Sequence, residues 1–157
     1  MGGDKLADVR FVEGSTELLD KVESLWKKLN KHHQTIATLF QDSISQMTFE
    51  QRRAHWLERA KSGLLRIDIA LLQDSEGAVG YCVTTIDNDL GEIESIFIDE
   101  SFRKLGLGGV LMERALNWLD WNDIIKKRLN VAVGNEQVLP FYQKYGFYPR
   151  AIILEQR

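Results

Sequence analysis

The residues best placed to do chemistry form a short, basic and glycine-rich stretch from Ser101 to Gly109. This stretch follows an apolar run typical of a strand, residues 92–98, and leads directly into a helical pattern. The first turn of a helix leaves backbone N–H groups without partners and carries the positive end of the helix dipole, so it attracts phosphate. Glycines keep β-carbons out of the loop, and Arg103 and Lys104 add positive charge. The stretch therefore predicts an anion-binding loop.

Two other phosphate-binding motifs do not match this loop. A Walker A loop needs Lys and then Ser or Thr after its last glycine, whereas Gly109 is followed by Val110 and Leu111. A dinucleotide fingerprint needs a glycine at position 111 and an acidic residue closing a second strand about twenty residues on, and both are missing. For the loop taken alone, a glycine turn without a ligand is the remaining alternative.

The surrounding pattern supplies the elements that would position the loop. Apolar and alternating runs predict strands at 9–12, 65–72, 78–86, 92–98, 128–133 and 147–154. Helical periodicity predicts helices at 17–33, 49–61, 107–122 and 137–145, with Thr48 as the N-cap of the second. Hairpins followed by a strand–helix–strand crossover predict an α/β (α+β) fold: a mixed, mostly antiparallel sheet of about six to seven strands with helices on both faces.

Length and composition favour one globular domain over residues 1–157, with residues 1–5 as a flexible start. The formal net charge is -3, and no basic patch indicates a nucleic-acid partner. No apolar stretch is long enough to span a bilayer, and the N-terminus lacks the pattern of a secretory signal. These features predict a cytoplasmic protein without a membrane partner.

The cysteine and two of the histidines have simple interpretations. Cys82 is the single cysteine and lies in an apolar run, so we expect it to pack in the core instead of acting as a thiol nucleophile. His32 and His33 lie near the end of a predicted helix without an evident third ligand, and no metal site is expected.

A second motif gives the loop a more specific meaning. Residues 103–108 read Arg-Lys-Leu-Gly-Leu-Gly, and further on Asn135 is followed seven positions later by Tyr142 and then by Gly-Phe at 146–147. In this order, the two motifs resemble those of the Gcn5-related N-acetyltransferase (GNAT) superfamily. The resemblance covers roughly residues 66–150.

The resemblance implies that the protein uses acetyl-CoA. In the family, the strand at 92–98 splays away from the strand at 128–133 and leaves a wedge for the pantetheine arm, which pairs with backbone groups as an added strand. The pyrophosphate lies on the loop, and the asparagine and the tyrosine contact the reactive end of the cofactor. The matching positions in this chain are Ile96, Phe97 and Ile98 for the arm, Arg103, Lys104, Leu105, Gly106, Leu107, Gly108 and Gly109 for the loop, and Asn135 and Tyr142 for the reactive end.

An amine acceptor must lose a proton before it attacks a thioester, because an alkyl amine with a pKa of about 10 is almost fully protonated at neutral pH. Glu92 and Glu94 lie two residues apart on one predicted strand, so both should face one side, with Ile93 and Ser95 on the other. The family uses a strand glutamate at either offset, which makes Glu94 the first candidate and Glu92 the second. The alternative is a solvated strand face.

Tyr142 matches the family tyrosine that assists departure of the CoA thiolate. The conjugate thiol has a pKa of about 8.5, so a nearby phenol can donate a hydrogen bond or a proton to the sulfur. The alternative is a half-buried aromatic on a short helix, like Phe141 and Tyr145 beside it.

The expected function is an acetyl-CoA-dependent N-acetyltransferase that moves an acetyl group directly to a primary amine of a small molecule. A non-catalytic acyl-CoA-binding sensor or regulatory module and a protein N-terminal acetyltransferase are the alternatives, and an unrelated nucleotide-binding or structural domain would make both motifs coincidental. The acidic pair Glu92 and Glu94 favours a small cationic amine. Dimerisation is common in the family, so the resemblance allows a homodimer.

Overall fold

The computed structural model describes residues 8–157, and the predicted flexible start at residues 1–5 lies outside this range. The strands are β1 Val9–Gly14, β2 Leu64–Leu72, β3 Ala78–Asp87, β4 Leu90–Ile98 and β5 Lys126–Leu129. The helices are α1 Leu19–Ile36, α2 Gln41–Gln46, α3 Phe49–Ser62, α4 Leu107–Trp121 and α5 Leu139–Gln143. Single 3₁₀ turns span Thr16–Leu18, Glu100–Phe102 and Glu136–Val138.

The strands described in residues 8–157 form one sheet in the order of the chain, β1-β2-β3-β4-β5. The first four pair antiparallel, whereas β4 and β5 run parallel because α4 crosses over between them. The predicted mixed, mostly antiparallel sheet is confirmed. Within residues 8–157, no helix has both the length and the apolar character needed to cross a membrane.

Helices cover both faces of the sheet, as predicted, because alternate strand residues point to opposite sides. On one face, Ile67 and Ile69 of β2 pack with the fully buried Trp56 of α3 and with the apolar side of α1. On the other, Ile93 of β4 packs with Leu111 and other apolar residues of α4, and α5 covers the edge of this cluster. We call these two sides the α1/α3 face and the α4/α5 face.

The described sheet has five strands, so the expectation of six to seven was wrong. Residues 147–154, the last predicted strand, form neither strand nor helix, and Ile152, Ile153 and Leu154 are 80–90% exposed. A strand must find an edge that satisfies its backbone groups, and Pro149 removes one donor from this segment. One edge of the sheet is β5, which is only four residues long.

The end of β5 also differs from its predicted range of 128–133, because the chain leaves the sheet after Leu129. It then turns against the end of α1 at Gly134, where a β-carbon would lie 2.5 Å from the carbonyl oxygen of Ile36. The helix predicted at 137–145 is a 3₁₀ turn followed by the short α5. Helix α2 was not predicted.

The start of α3 follows the sequence closely. The Thr48 hydroxyl accepts a hydrogen bond from the Gln51 backbone N–H at 3.1 Å, and the Gln51 side chain accepts one from the Thr48 N–H at 3.0 Å. This capping box satisfies two donors at the helix start and confirms Thr48 as the N-cap. It sets the position of α3, which supplies part of the candidate site described below.

Candidate active site

The predicted anion-binding loop enters α4 through Gly106, the N-cap residue of this helix. Gly106 has a φ of +85°, a left-handed conformation that glycine adopts without strain. A β-carbon on Gly106 would meet nothing within 4 Å, so the loop faces open space at this point. The first amides of α4 have no carbonyl partner within the helix. The N-terminus of α4 therefore offers the free donors and the positive dipole end that attract an anion.

Gly108 and Gly109, predicted to expose the loop backbone to a ligand, also make room for α5. A β-carbon on Gly108 would lie 3.3 Å from the Phe141 ring, and one on Gly109 would lie 3.0 Å from the Tyr145 hydroxyl oxygen. The two glycines let α5 approach the first turn of α4. Of the three predicted loop glycines, Gly106 is the one at which an added β-carbon would meet open space.

Arg103 ties the loop to the end of β4. Its Nε donates to the carbonyl oxygen of Ile98 at 3.0 Å, and its guanidinium lies 5.3 Å from the centroid of the Phe97 ring. This contact occupies one backbone acceptor on the segment expected to bind the pantetheine arm. Leu107 is 1% exposed and packs with Leu105, so the side chain of Leu107 is unavailable to a ligand.

Strands β4 and β5 separate next to the loop. Their parallel ladder ends at the pair Ile93–Leu129, and in the described sheet residues 95–98 of β4 have ladder partners on β3 alone. One edge of this segment is therefore left without a neighbouring strand. An extended ligand could add there by backbone hydrogen bonds. The predicted separation of the two strands therefore takes the form of an early end to β5 at Leu129.

A β-bulge interrupts β4 at Glu94. Its neighbours Ile93 and Ser95 pair with consecutive residues of β3, so Glu94 has no partner there. Glu94 and Ser95 consequently face the same side, since the Ser95 hydroxyl lies 2.7 Å from the Tyr81 hydroxyl on the α1/α3 face. The prediction that Ser95 faces away from Glu94 was wrong, because strict alternation holds only in an unbroken strand.

Glu92 and Glu94 bind the same guanidinium. Arg59 of α3 donates from Nη2 to Oε2 of Glu92 at 2.8 Å and from Nε to Oε1 of Glu94 at 3.1 Å. It also donates from Nη1 to Oδ2 of Asp87 at 3.5 Å. The Glu92 and Glu94 side chains are 7% and 5% exposed. They therefore belong to a nearly buried ion cluster. The alternative of a solvated strand face is wrong for both glutamates.

The remaining contacts distinguish the two carboxylates. Oε1 of Glu92 accepts from Asn130 Nδ2 at 3.3 Å, so both of its oxygens are hydrogen-bonded. Oε1 of Glu94 accepts a second bond from the Thr85 hydroxyl at 2.9 Å, while its Oε2 has only an ion-pair contact with Arg52 at 4.0 Å. Among residues 8–157, Oε2 of Glu94 receives no hydrogen bond, which leaves it available to accept a proton.

Two further arginines flank the glutamates. Arg52 donates from Nη2 to the carbonyl oxygen of Glu94 at 3.1 Å, and its guanidinium lies 4.9 Å from the Trp56 ring centroid. Arg128 of β5 places Nη2 3.5 Å from Oε2 of Glu92, with its side chain 57% exposed.

Sequence reasoning missed the α3 arginines. Arg52, Trp56 and Arg59 are spaced four and three residues apart, which places them on one helix face. That spacing was the signal available in the sequence. It could not show which strand this face would contact.

Tyr142 lies on α5, where its ring packs in the α4/α5 core 5.3 Å from the Phe141 ring. Burial raises the pKa of Tyr142 to about 12, and the nearby Cys82 group adds to the rise. The phenol is therefore protonated at neutral pH. No hydrogen bond joins its hydroxyl to another residue in the described part of the chain, so the hydroxyl can donate to a ligand.

Asn135 lies in the turn before α5. Its Oδ1 accepts from Gln137 Nε2 at 2.6 Å, and its backbone N–H donates to the carbonyl oxygen of Ala132 at 3.0 Å. These bonds hold the side-chain amide group in place and leave its own N–H donors for a ligand.

The gap between β4 and β5 has candidate groups on both faces of the sheet. Glu94 approaches it from the α1/α3 face, Tyr142 belongs to the α4/α5 face, and the loop at Gly106 lies at the end of β4. A shallow depression of about 380 Å³ lies on α3 near Leu57, and another of about 300 Å³ lies near Ile124. Neither is lined by a predicted site residue, so the gap is the candidate active site.

Residues 20–147 match the family described as Acetyltransferase (GNAT) family. The match covers most of the chain, which therefore belongs to the GNAT family of N-acetyltransferases. Acetyl-CoA is the acyl donor of this family. The resemblance found in the loop and in the Asn135–Phe147 motif is confirmed.

Two curated proteins are similar in sequence to part of this chain. The chain is 35% identical over 83 residues to the mycothiol acetyltransferase of Acidimicrobium ferrooxidans, a match that covers 49% of this chain and 27% of that protein. It is 25% identical over 103 residues to the ribosomal protein bS18 alanine N-acetyltransferase of Salmonella typhimurium, covering 62% and 69% of the two chains.

The fold is also found in a solved structure of the aminoglycoside N-acetyltransferase AAC(6')-Iy in complex with CoA. The TM-score is 0.67 at 17% identity, and the similarity covers 95% of this chain and 93% of the other. At this identity the likeness shows the shared fold. The three proteins act on different acceptors, so family membership does not identify the acceptor of this chain.

Proposed function

We propose that this GNAT-family N-acetyltransferase moves the acetyl group of acetyl-CoA directly to a primary amine of a small molecule. The observation that carries the proposal is the gap beside the α4 loop, with a proton acceptor on one face and a proton donor on the other. Direct transfer is supported by Cys82, which is fully buried and whose pKa burial raises to about 12. A neutral thiol of this kind is a poor nucleophile for a covalent acyl-enzyme.

The residues present fit acetyl-CoA, which supplies an activated thioester when it is bound. The open space at Gly106, the first amides of α4 and the charges of Arg103 and Lys104 suit the pyrophosphate. The free edge of β4 suits the pantetheine arm, through those backbone groups of Ile96, Phe97 and Ile98 that other contacts leave open. Asn135, matched through the family motif, would offer its side-chain N–H donors to the cofactor.

Glu94 acts as the proton acceptor for the incoming amine, through Oε2. Its side chain is 5% exposed, so this oxygen is shielded from bulk solvent. Arg59 and the Thr85 hydroxyl hold Oε1 and thereby fix the orientation of the carboxylate. Glu92 is a weaker candidate because hydrogen bonds occupy both of its oxygens.

Tyr142 acts as the proton donor to the departing sulfur. With a pKa of about 12, its hydroxyl stays protonated throughout the neutral range. A protonated phenol can donate a hydrogen bond to the sulfur while negative charge develops on it. Because a thiolate is a weak base and leaves readily, a hydrogen bond is sufficient assistance.

Calorimetry with acetyl-CoA, followed by thiol release with a panel of amines, tests the proposal. We expect acetyl-CoA to bind and thiol to be released when an amine is added. Mass spectrometry should then detect the acetylated amine. Binding without release from any acceptor would indicate a sensor or regulatory module. Absence of binding would contradict the proposal altogether.

The panel should include short peptides with a free N-terminus. The 25% identity to a ribosomal-protein alanine acetyltransferase favours this second candidate function. If peptides are acetylated efficiently and all small amines react slowly, the acceptor is a protein N-terminus and not a small molecule.

A further inference from the structure

We propose that the acceptor is a free α-amino acid, whose carboxylate is bound by Arg128 and Arg52 beside the amine. The inference rests on the proposed function, because it names the class of acceptor for the same site.

The acidic pair that favoured a cationic acceptor does not present free negative charge. Arg59 uses Nε, Nη1 and Nη2 on Glu94, Asp87 and Glu92. Counted with Arg52 and Arg128, the cluster holds three carboxylates and three guanidinium groups and is formally neutral. A polyamine would therefore gain little electrostatic attraction here.

Arg128 is the more accessible of the two flanking arginines. It lies on β5 opposite Glu92, one pair before the β4–β5 ladder ends, and its side chain is 57% exposed. Within residues 8–157 its ion-pair contact is the one to Glu92 at 3.5 Å. A guanidinium carries five N–H donors in a planar fork that matches a carboxylate. Arg128 thus has donors left for a ligand at the opening of the gap.

Arg52 lies beside the proposed proton acceptor. Its Nη2 is held by the Glu94 carbonyl oxygen and lies 4.0 Å from Oε2 of Glu94, the oxygen assigned to the amine proton. An acceptor whose amine approaches Oε2 therefore meets a guanidinium only a few ångströms away. In an α-amino acid, the carboxylate is attached to the same carbon as the amine, so it matches this short separation.

The test compares each common amino acid with its amide and with its decarboxylated amine, using thiol release to measure kcat/KM. A charge-assisted hydrogen bond contributes about 1.5–3 kcal/mol, so the preferred amino acid should exceed its amide by about ten- to a hundredfold. The amides have the more readily deprotonated amines, so intrinsic reactivity would favour them. A preference for the acid must therefore come from recognition of the carboxylate.

In Arg128→Gln, kcat/KM for the amino acid should fall toward kcat/KM for its amide, so that the ratio of the two approaches one. Arg128→Lys, which keeps the charge and loses the planar fork, should give an intermediate ratio. Lys126→Gln on the same strand is the matched control, since Lys126 is exposed and lies outside the ion cluster. It should leave the ratio as in the unmodified protein.

Equal or better use of the amides, the decarboxylated amines or peptides would overturn the inference, as would an unchanged ratio in Arg128→Gln. If no acceptor turns over, the proposed function fails separately. Calorimetry of amino acids and amides on the protein saturated with CoA then decides the inference. Tighter binding of an amino acid that is lost in Arg128→Gln supports it, and equal binding overturns it.

Discussion

The Nε atom of Arg59 lies 3.1 Å from Oε1 of Glu94, so helix α3 holds the carboxylate proposed as the proton acceptor across 35 positions of the chain. The same guanidinium binds Glu92. One side chain therefore contributes both to the attachment of α3 to the sheet and to the orientation of the carboxylate at the gap.

Replacing Arg59 by Ala should destabilise the fold by about 3 kcal/mol, because two nearly buried carboxylates would lose their main partner. Urea unfolding measures this loss. Arg53→Ala is the control on the same helix, where the ion pair with Asp20 is 40% and 81% exposed and should contribute under about 1 kcal/mol. Equal losses in the two variants would show that the cluster does not hold α3 in place.

Glu94→Gln should reduce kcat/KM by about a hundredfold or more, because the neutral amide cannot accept the amine proton. Glu92→Gln should reduce it less, since hydrogen bonds already occupy both Glu92 oxygens. Thiol release with the preferred acceptor measures both values, and thermal unfolding shows whether each variant is folded. A larger loss in Glu92→Gln would reverse the assignment.

Tyr142→Phe should lower kcat by between about tenfold and a thousandfold, because the ring still packs in the α4/α5 core while the proton donor is gone. Single-turnover measurements at saturating acetyl-CoA report the effect. Tyr145→Phe removes a hydroxyl from the same helical region and should stay close to the unmodified protein. Similar rates for all three proteins would rule out Tyr142 as the donor.

Gly106→Ala should weaken acetyl-CoA binding by about tenfold, because the added β-carbon projects into the open space of the loop and strains a residue with a φ of +85°. Gly146→Ala is a close control, since Gly146 has a φ of +83° and also nothing within 4 Å of a β-carbon. Both should lose about 1 kcal/mol of stability, and only the first should lose affinity by calorimetry. An equal loss of affinity in both would assign the effect to backbone strain.

The stability of the fold should decline at alkaline pH through Cys82, whose pKa burial raises from 9.0 to about 12. Below pH 9.0 the thiol is neutral in both states and the full stability is present; above it the unfolded chain ionises first, so stability is lost until the folded pKa is passed. The slope for one such group approaches about 1.4 kcal/mol per pH unit.

Urea midpoints between about pH 8 and about pH 10 test this, with Cys82→Ala as the comparison. The variant should show the shallower decline, with Tyr142 contributing a further fall that begins near its ordinary pKa of 10.0. Parallel declines in the two proteins would contradict the assignment.

Local signals in the sequence were enough for most of the elements. The Thr48 N-cap needed only a polar side chain that could accept from the backbone three residues later. The loop that begins α4 at Gly106 was readable because its glycine and charge pattern act within one turn of the chain. The family motifs then placed this loop beside the splayed strands.

Features that depend on contacts between residues far apart in the chain could not be predicted from the sequence. The contacts of Arg59 with Glu92 and Glu94 join α3 to β4, and no local pattern specifies that pairing. The bulge at Glu94 needs the register of β3 before it can be seen. The apolar run at 147–154 has the composition of a strand, but composition cannot say whether an edge is available to pair with it.

Gly108 and Gly109 bring α5 into van der Waals contact with the first turn of α4. The spacing between the anion-binding loop and the Tyr142 hydroxyl is consequently set by the size of two side chains that are each a single hydrogen atom. An added methyl group at either position would press on Phe141 or Tyr145, so the two glycines let the helix that carries Tyr142 lie close to the start of α4.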